Sequence, residues 1–369
     1  MSQDHPEDWA ARAAIVAQKV TDAYGHRLVG LPGTWIGRVE LPAGGPRAWL
    51  PWSEWHYWWQ AHFVDCLVDA ARREWHLAAR APSEPPPQLR LAQRVIRTIR
   101  LRNFGRFENM FFDDMAWLAL ASARTEELAQ ELRGQGLPPA GEAVRTLGHR
   151  LEAGQDDRGG MFWNTRRRYK NTATTGPAAL FFARTGDTER AQSLVDWLYA
   201  NLFDGESGLF LDGIHLEPHG ATRLDRAVWA YNQGPILGAL LRLGGRNLGP
   251  AKDLVQAIEE GLTDGGGLLK AHGDGDGGLF MGILARYLTL AAQDPRLPEQ
   301  TRSTARRLVL STAEALWQGR DPHRLVFSAH PAEPASSSYP PGSRVELCTQ
   351  LQAWMLLEGA AKLEAPASN

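Results

Sequence analysis

Cysteine is scarce: only Cys66 and Cys348 occur in 369 residues, too few for a disulfide framework. Cys66 lies well inside its expected helix and Cys348 near the start of another, so parallel helices would leave the sulfurs at different depths and unpaired. No apolar run approaches the roughly 18 residues that a membrane-spanning helix needs. The first ten residues carry Asp4, Glu7 and Asp8 and lack the apolar centre of a secretory signal. Together these absences make a cytoplasmic location the expectation. Formal net charge is −2, with Lys and Arg scattered, so there is no electrostatic case for nucleic acid or an anionic membrane. The exception, Arg166-Arg167-Arg168, reads as a solvated loop or a contact to sugar hydroxyls. No group of His, Cys or acids has zinc or calcium spacing, so neither metal nor cofactor is expected. Gly273-Asp274-Gly275-Asp276-Gly277-Gly278 looks faintly like a calcium loop but lacks the closing bidentate Glu and reads as a flexible turn.

Tryptophan is in excess, at 14 residues. Trp49, Trp52, Trp55, Trp58 and Trp59 cluster, with Trp35, Trp117, Trp163 and Trp229 elsewhere. At least half must be core. Many, however, fall near predicted loop–helix junctions, where flat aromatic faces suit the C–H faces of a pyranose. A carbohydrate partner is therefore expected, bound by a monomer.

Helical periodicity predicts about twelve helices and almost no strand. The spans are 8–24, 53–79, 87–102, 109–133, 139–153, 171–185, 187–203, 222–243, 250–263, 278–293, 298–317 and 344–363. Pro82, Pro85-Pro86-Pro87, Gly134 to Pro139 and Leu297-Pro298 punctuate them. Even-numbered helices carry small residues on apolar faces, such as Gly176, Gly234, Gly238 and Gly282, which permit close backbone approach. Odd-numbered ones are amphipathic. Six hairpins of one inner and one outer helix describe an all-α (α/α)6 barrel, with no compositional break over residues 1–369. The inner helices then start at one face. The loops entering them, 25–52, 154–170, 204–221, 264–277 and 318–343, are long enough to carry function.

Asp113 and Asp114 open the fourth helix in the run Asn109-Met-Phe-Phe-Asp113-Asp114-Met-Ala-Trp117. Adjacent acids resist ionising together, and glycoside hydrolysis needs one carboxylate ionised and another protonated. The first turn of a helix should keep one of them charged. The plain alternative is an acidic pair capping the helix.

This run resembles the catalytic motif of glycoside hydrolase family 76, the endo-α-1,6-mannanases and α-1,6-mannosidases. Four further segments resemble the family in order: Gly159-Gly-Met-Phe-Trp163-Asn164 with Tyr169-Lys170-Asn171-Thr172; Leu211-Asp212-Gly213; Trp229-Ala-Tyr231-Asn232-Gln233-Gly234; and Phe280-Met-Gly282-Ile-Leu-Ala-Arg286-Tyr287. Phe111-Phe112 stands where Tyr is frequent and Met281 where Lys is expected. The resemblance implies a retaining glycoside hydrolase cleaving α-1,6-mannosidic bonds, with Asp113 as nucleophile and Asp114 as acid/base. Trp58, Trp163, Asn164, Lys170, Asn171, Asp212, Tyr231, Asn232, Gln233 and Arg286 are the candidate substrate-binding residues. Asp65, Asp69 and Asp225 read as outward-facing acids. The alternatives are another (α/α)6-barrel sugar hydrolase or epimerase with different specificity, or a catalytically silent glycan-binding protein. The Asp-Asp-x-x-Asp magnesium motif of isoprenoid synthases is excluded, because Trp117 stands where the third Asp would be.

Overall fold

The computed structural model describes residues 8–42, 54–78 and 84–365. Trp49, Trp52, Pro82 and the first seven residues lie outside the described residues. The described chain is mostly helical. In order, the helices are α1 (Trp9–Tyr24), α2 (Tyr57–Leu77), α3 (Pro87–Arg102), α4 (Phe112–Arg133), α5 (Pro138–Gly154), α6 (Thr172–Thr185), α7 (Thr188–Asn201), α8 (Ala230–Leu243), α9 (Leu248–Gly261), α10 (Phe280–Gln293), α11 (Glu299–Gly319), the single turn α12 (Ala335–Ser338) and α13 (Leu347–Glu364).

Local chemistry sets their ends. The Asp8 carboxylate accepts from the Ala10 amide at 2.9 Å, and Asn171 Oδ1 from the Thr174 amide at 3.1 Å, each capping a helix start. Gly134, left-handed at φ 67°, stops α4. Helices α2, α4, α6, α8, α10 and α13 pack each on the next, and α13 returns to α2. This closes the inner ring of an (α/α)6 fold. The remaining long helices pack outside it, α3 on α2 and α4, and α11 on α10 and α13. Inner helices are buried almost all round, as in Met115–Ala123 of α4 and Leu347–Ala361 of α13. Their glycines mark close crossings: a Cβ at Gly282 would lie 2.8 Å from Gln352 Cα, and one at Gly176 3.2 Å from Ile236 Cγ1.

Short strands tie the loops down: β1 (Gly25–His26), β2 (Ile36–Gly37), β3 (Glu40–Leu41), β4 (Tyr169–Asn171), β5 (Phe203–Asp204), β6 (Leu209–Phe210), β7 (Gly213–Leu216), β8 (Thr222–Asp225) and β9 (Val345–Glu346). The largest sheet is antiparallel β4-β7-β8, with Tyr169 opposite His215 and Gly213 opposite Asp225. Periodicity assigns 222–243 to one helix, but 222–225 is a strand and the helix begins at Ala230. Segments of two to four residues are too short to show a period of two, and some pair across long separations, β3 with β9 and β4 with β7. Cys66 and Cys348 are buried free thiols. Among the described residues no helix is long and apolar enough to cross a membrane.

Candidate active site

The starts of α2, α4, α6, α8 and α10 converge on a cavity of about 670 Å³. Trp58, Asp113, Asp114, Trp117, Asn171, Tyr231 and Phe280 line it from these starts; Trp163, Asn164, Arg166, Arg168, Tyr169, Asp212, His215 and Asp225 line it from the loops and the three-stranded sheet. The shared helix polarity explains the convergence: sequential inner helices run parallel, so their first turns meet.

Asp113 and Asp114 occupy the first turn of α4. Asp113 is held by two donors, Trp163 Nε1 to Oδ2 at 2.9 Å and the Asp114 amide to Oδ1 at 2.9 Å. The Asn109 amide group donates to Asp114 Oδ2 at 2.6 Å. Burial raises both carboxyls. Asp113 is pushed up to about 7, although its hydrogen bonds oppose the rise. Asp114 is raised well above its ordinary value by burial and by the neighbouring Asp113. The arrangement can therefore hold one proton between two carboxyls, on Asp114 in preference, in a site open to solvent on one side. Among the described residues no group of His, Cys or acids could hold a metal ion.

Aromatic rings form the walls. Tyr231 stacks on Phe280 at 4.0 Å, Trp58 and Trp117 each approach Tyr231 at 6.4 Å, and Trp163 packs against Phe111 at 5.2 Å. Asp276 Oδ1 accepts from Trp58 Nε1 at 3.1 Å and Trp59 Nε1 at 2.8 Å, fixing both indoles. The glycine-rich loop before α10 is thus a wall of the cavity, not an idle turn. On the far side, Asp212 accepts from Tyr169 Oη at 2.5 Å and Asn232 Nδ2 at 3.0 Å. The Asn232 Oδ1 atom is buried without a partner among the described residues.

The remaining candidates have other surroundings. Lys170 turns inward, donating to the Gly159 carbonyl at 2.7 Å and pairing with Asp156, which pins the 154–170 loop. Asn171 lines the cavity but spends its side-chain oxygen on the α6 cap. Gln233 bonds both main-chain groups of Phe210, at 2.9 Å each, as a strand would. Arg286 is a correction. It sits two turns into α10, donating to Asp69 Oδ2 at 2.8 Å and approaching Asp65 Oδ2 at 3.5 Å, with Arg124 bonded to both acids. Asp65 and Asp69 are correspondingly interior, not outward-facing: they form a two-plus, two-minus cluster inside the helical ring. His62 and Trp117, 4.9 Å apart, lie between it and the cavity. Burial, then Arg286 and Arg124, push the His62 imidazole well below its ordinary value, so it is neutral.

A model of glycosyl hydrolase family 76 matches residues 8–364. The chain belongs to glycosyl hydrolase family 76. Among solved structures, it is similar to the GH76A α-1,6-mannanase of Salegentibacter sp. HEL1_6, at 30% identity over 97% of this chain and 100% of that one, with a TM-score of 0.81. An inactive variant of that mannanase, with two consecutive aspartates replaced by asparagine, is similar to the same extent and is in complex with α-1,6-mannotriose. The Lin0763 protein of Listeria innocua is 26% identical over 97% of this chain and 98% of that one, with a TM-score of 0.78. Comparison with curated protein sequences gives no match.

As a family 76 member the protein is a glycoside hydrolase. Sequence reasoning missed Asp276, Phe280, His215 and Asp225 as cavity residues. For Asp276 a signal existed, an acid just before an inner helix. His215 and Asp225 carry none, because only the pairing of β7 with β4 and β8 brings them to the rim.

Proposed function

We propose that this protein hydrolyses α-1,6-mannosidic bonds of mannan-type glycans with retention of configuration. The observation that carries the reading is the unequal setting of the acid pair. Asp113 has two hydrogen-bond donors, which favour its anion. Asp114 has one donor and the repulsion of Asp113, which favours its acid form. In this scheme Asp113 attacks the anomeric carbon while Asp114 protonates the departing glycosidic oxygen. A mannosyl ester forms on Asp113. Asp114, now ionised, takes a proton from water as the water attacks the ester, and both carboxyls return to their starting states. Trp58, Trp163 and Tyr231 offer faces to the sugar rings, and Asn164, Asp212 and Asp276 offer acceptors to hydroxyls. The similarity to a mannanase and to its mannotriose complex supports the choice of sugar.

The test is digestion of linear α-1,6-manno-oligosaccharides, with product lengths read by mass spectrometry and anomeric configuration by NMR. Asp113→Asn should be nearly inactive on mannan and on an activated aryl mannoside. Asp114→Asn should keep more of its first step on the aryl substrate, and azide should rescue its turnover. Rescue confined to Asp113→Asn with retained configuration would reverse the roles. Full mannan activity in both variants would reduce the pair to a helix cap.

A further inference from the structure

Net charge is close to zero, but charge is unevenly distributed. From Pro86 to Phe107 the chain carries Arg90, Arg94, Arg97, Arg100, Arg102 and Arg106 and no acidic residue. This stretch is the outer helix α3 and the turn after it. Leu89, Ala92, Val95, Ile96 and Ile99 are buried on the inner side. Arg90 and Arg100 pair with Glu84 and Glu142, at 3.0 and 2.7 Å. Arg94, Arg97 and Arg106 are exposed, and among the described residues no acid lies in ion-pair range of them.

The same face exposes large apolar side chains. Phe104 is 96% exposed, Leu101 48% and Met110 46%. The loop between β1 and β2 adds Val29 at 50% and Leu31 at 45%. That loop is fastened to α3: the Trp35 amide donates to Thr98 Oγ1 at 2.8 Å, and a Cβ at Gly33 would lie 3.8 Å from Arg97 Nη1. At the other end Met110 precedes Phe111, which lines the cavity. Phe104 and Val29 hold φ of 55° and 43°, a region that L residues rarely adopt and β-branched ones avoid. The Phe104 turn is nonetheless rigid. The Gly105 amide donates to the Arg100 carbonyl, and Arg100 Nε to the Gly105 carbonyl, each at 2.9 Å; Asn103 Nδ2 donates to the carbonyls of Arg106 and Glu108. An ordered turn therefore holds a phenyl ring out in water, where it gains nothing in the isolated chain.

We propose that this face docks on an anionic lipid bilayer. Arginines of one sign attract acidic headgroups, their stems lie along apolar surface, and Phe104, Leu101, Val29 and Leu31 enter the acyl boundary. Other partners fit less well. A nucleic acid or acidic polysaccharide would use the arginines but has no use for three protruding aliphatic side chains. A two-fold contact with a second copy would bring two arginine faces together. Docking in this way sets the lip of the cavity beside the bilayer, and it does not depend on which glycan the cavity cleaves.

Co-sedimentation of the full chain with vesicles tests this, using phosphatidylcholine alone and phosphatidylcholine with about one third phosphatidylglycerol. Binding to the anionic vesicles, weakening as salt rises, and little binding to neutral ones is expected. Arg94→Gln with Arg97→Gln, and separately Leu101→Ser with Phe104→Ser, should each weaken binding about tenfold while leaving the circular dichroism melt in place. No sedimentation, or equal sedimentation with both vesicles, would overturn the proposal. So would a Leu101/Phe104 variant that binds like wild type, or single-stranded DNA that binds more tightly than the vesicles; either would assign the face to a polyanion.

Discussion

Replacing Arg286 by leucine separates a substrate contact from an internal strut. In the structure Arg286 is 9% exposed and shares Asp69 and Asp65 with Arg124. Burial would raise the Asp69 carboxyl, but Arg124 and Arg286 hold it down, from 3.8 to about 2. That difference corresponds to roughly 2–3 kcal/mol of stability at neutral pH, shared between the two arginines. Removing one arginine also leaves the cluster with an uncompensated buried negative charge, and breaking buried pairs in this way costs about 3–5 kcal/mol. With an unfolding entropy of roughly 2 cal/mol/K per residue, the melting temperature should fall by about 5 °C. The sign of the pH dependence follows from the depressed carboxyl. Its contribution is present above the unfolded value near 3.8 and is lost as pH falls through about 2, so wild type and variant should converge in acid. Urea unfolding from pH 7 to pH 2 measures the gap, and kinetics on mannotriose measure KM. Adding Asp69→Asn to Arg286→Leu should restore part of the loss. An Arg286→Leu protein of unchanged stability with KM raised tenfold would refute the interior assignment and return Arg286 to the substrate.

Other outcomes follow from the same geometry. The rate on an oligomannoside should fall on the acid side as Asp113 takes up its proton, with a limb near pH 7; full activity at pH 4 would contradict the ionised-nucleophile role. Asp276→Asn keeps an acceptor for both indoles but removes a charge that raises Asp113, so the limb should move to lower pH with little change in KM. Asp276→Ala strands the Trp59 N–H, which should cost about 1–3 kcal/mol and raise KM by loosening Trp58; a variant with wild-type stability and KM would deny the clamp. EDTA should leave activity unchanged, and loss reversed by added calcium would revive the loop of Asp274 and Asp276 as a metal site.

Much of this protein is legible in local pattern. Helix spans, the contrast between small-residue inner helices and amphipathic outer ones, and the acid pair in a first turn all depend on residues a few positions apart, and periodicity reports on that range. The parallel inner ring follows from alternation alone, and with it the meeting of Trp58, Asp113, Asn171 and Tyr231 at one face. What a polar side chain does there is another matter. Lys170, Gln233 and Arg286 sit in family-like motifs, yet each turns to a partner outside its own element: Asp156 and Gly159, Phe210, and Asp69, 217 positions away. Asp65 and Asp69 looked outward-facing because a buried acid is costly unless paired, and the arginines that pair with them belong to α4 and α10. The rim acids Asp225 and Asp276 enter through a hairpin and a loop too short for any periodic signal. Charge distribution behaved likewise. A net charge of −2 is a sum over the chain that hides the acid-free run of six arginines from Pro86 to Phe107; folding then leaves Arg94, Arg97 and Arg106 exposed and sets the apolar loop of Val29 and Leu31 beside α3. Sequence determined which long helices form and in what order they close. The tertiary structure decided which polar groups face the cavity and which neutralise one another inside, because Coulombic and hydrogen-bond pairing acts over a few ångströms of space and is blind to distance along the chain.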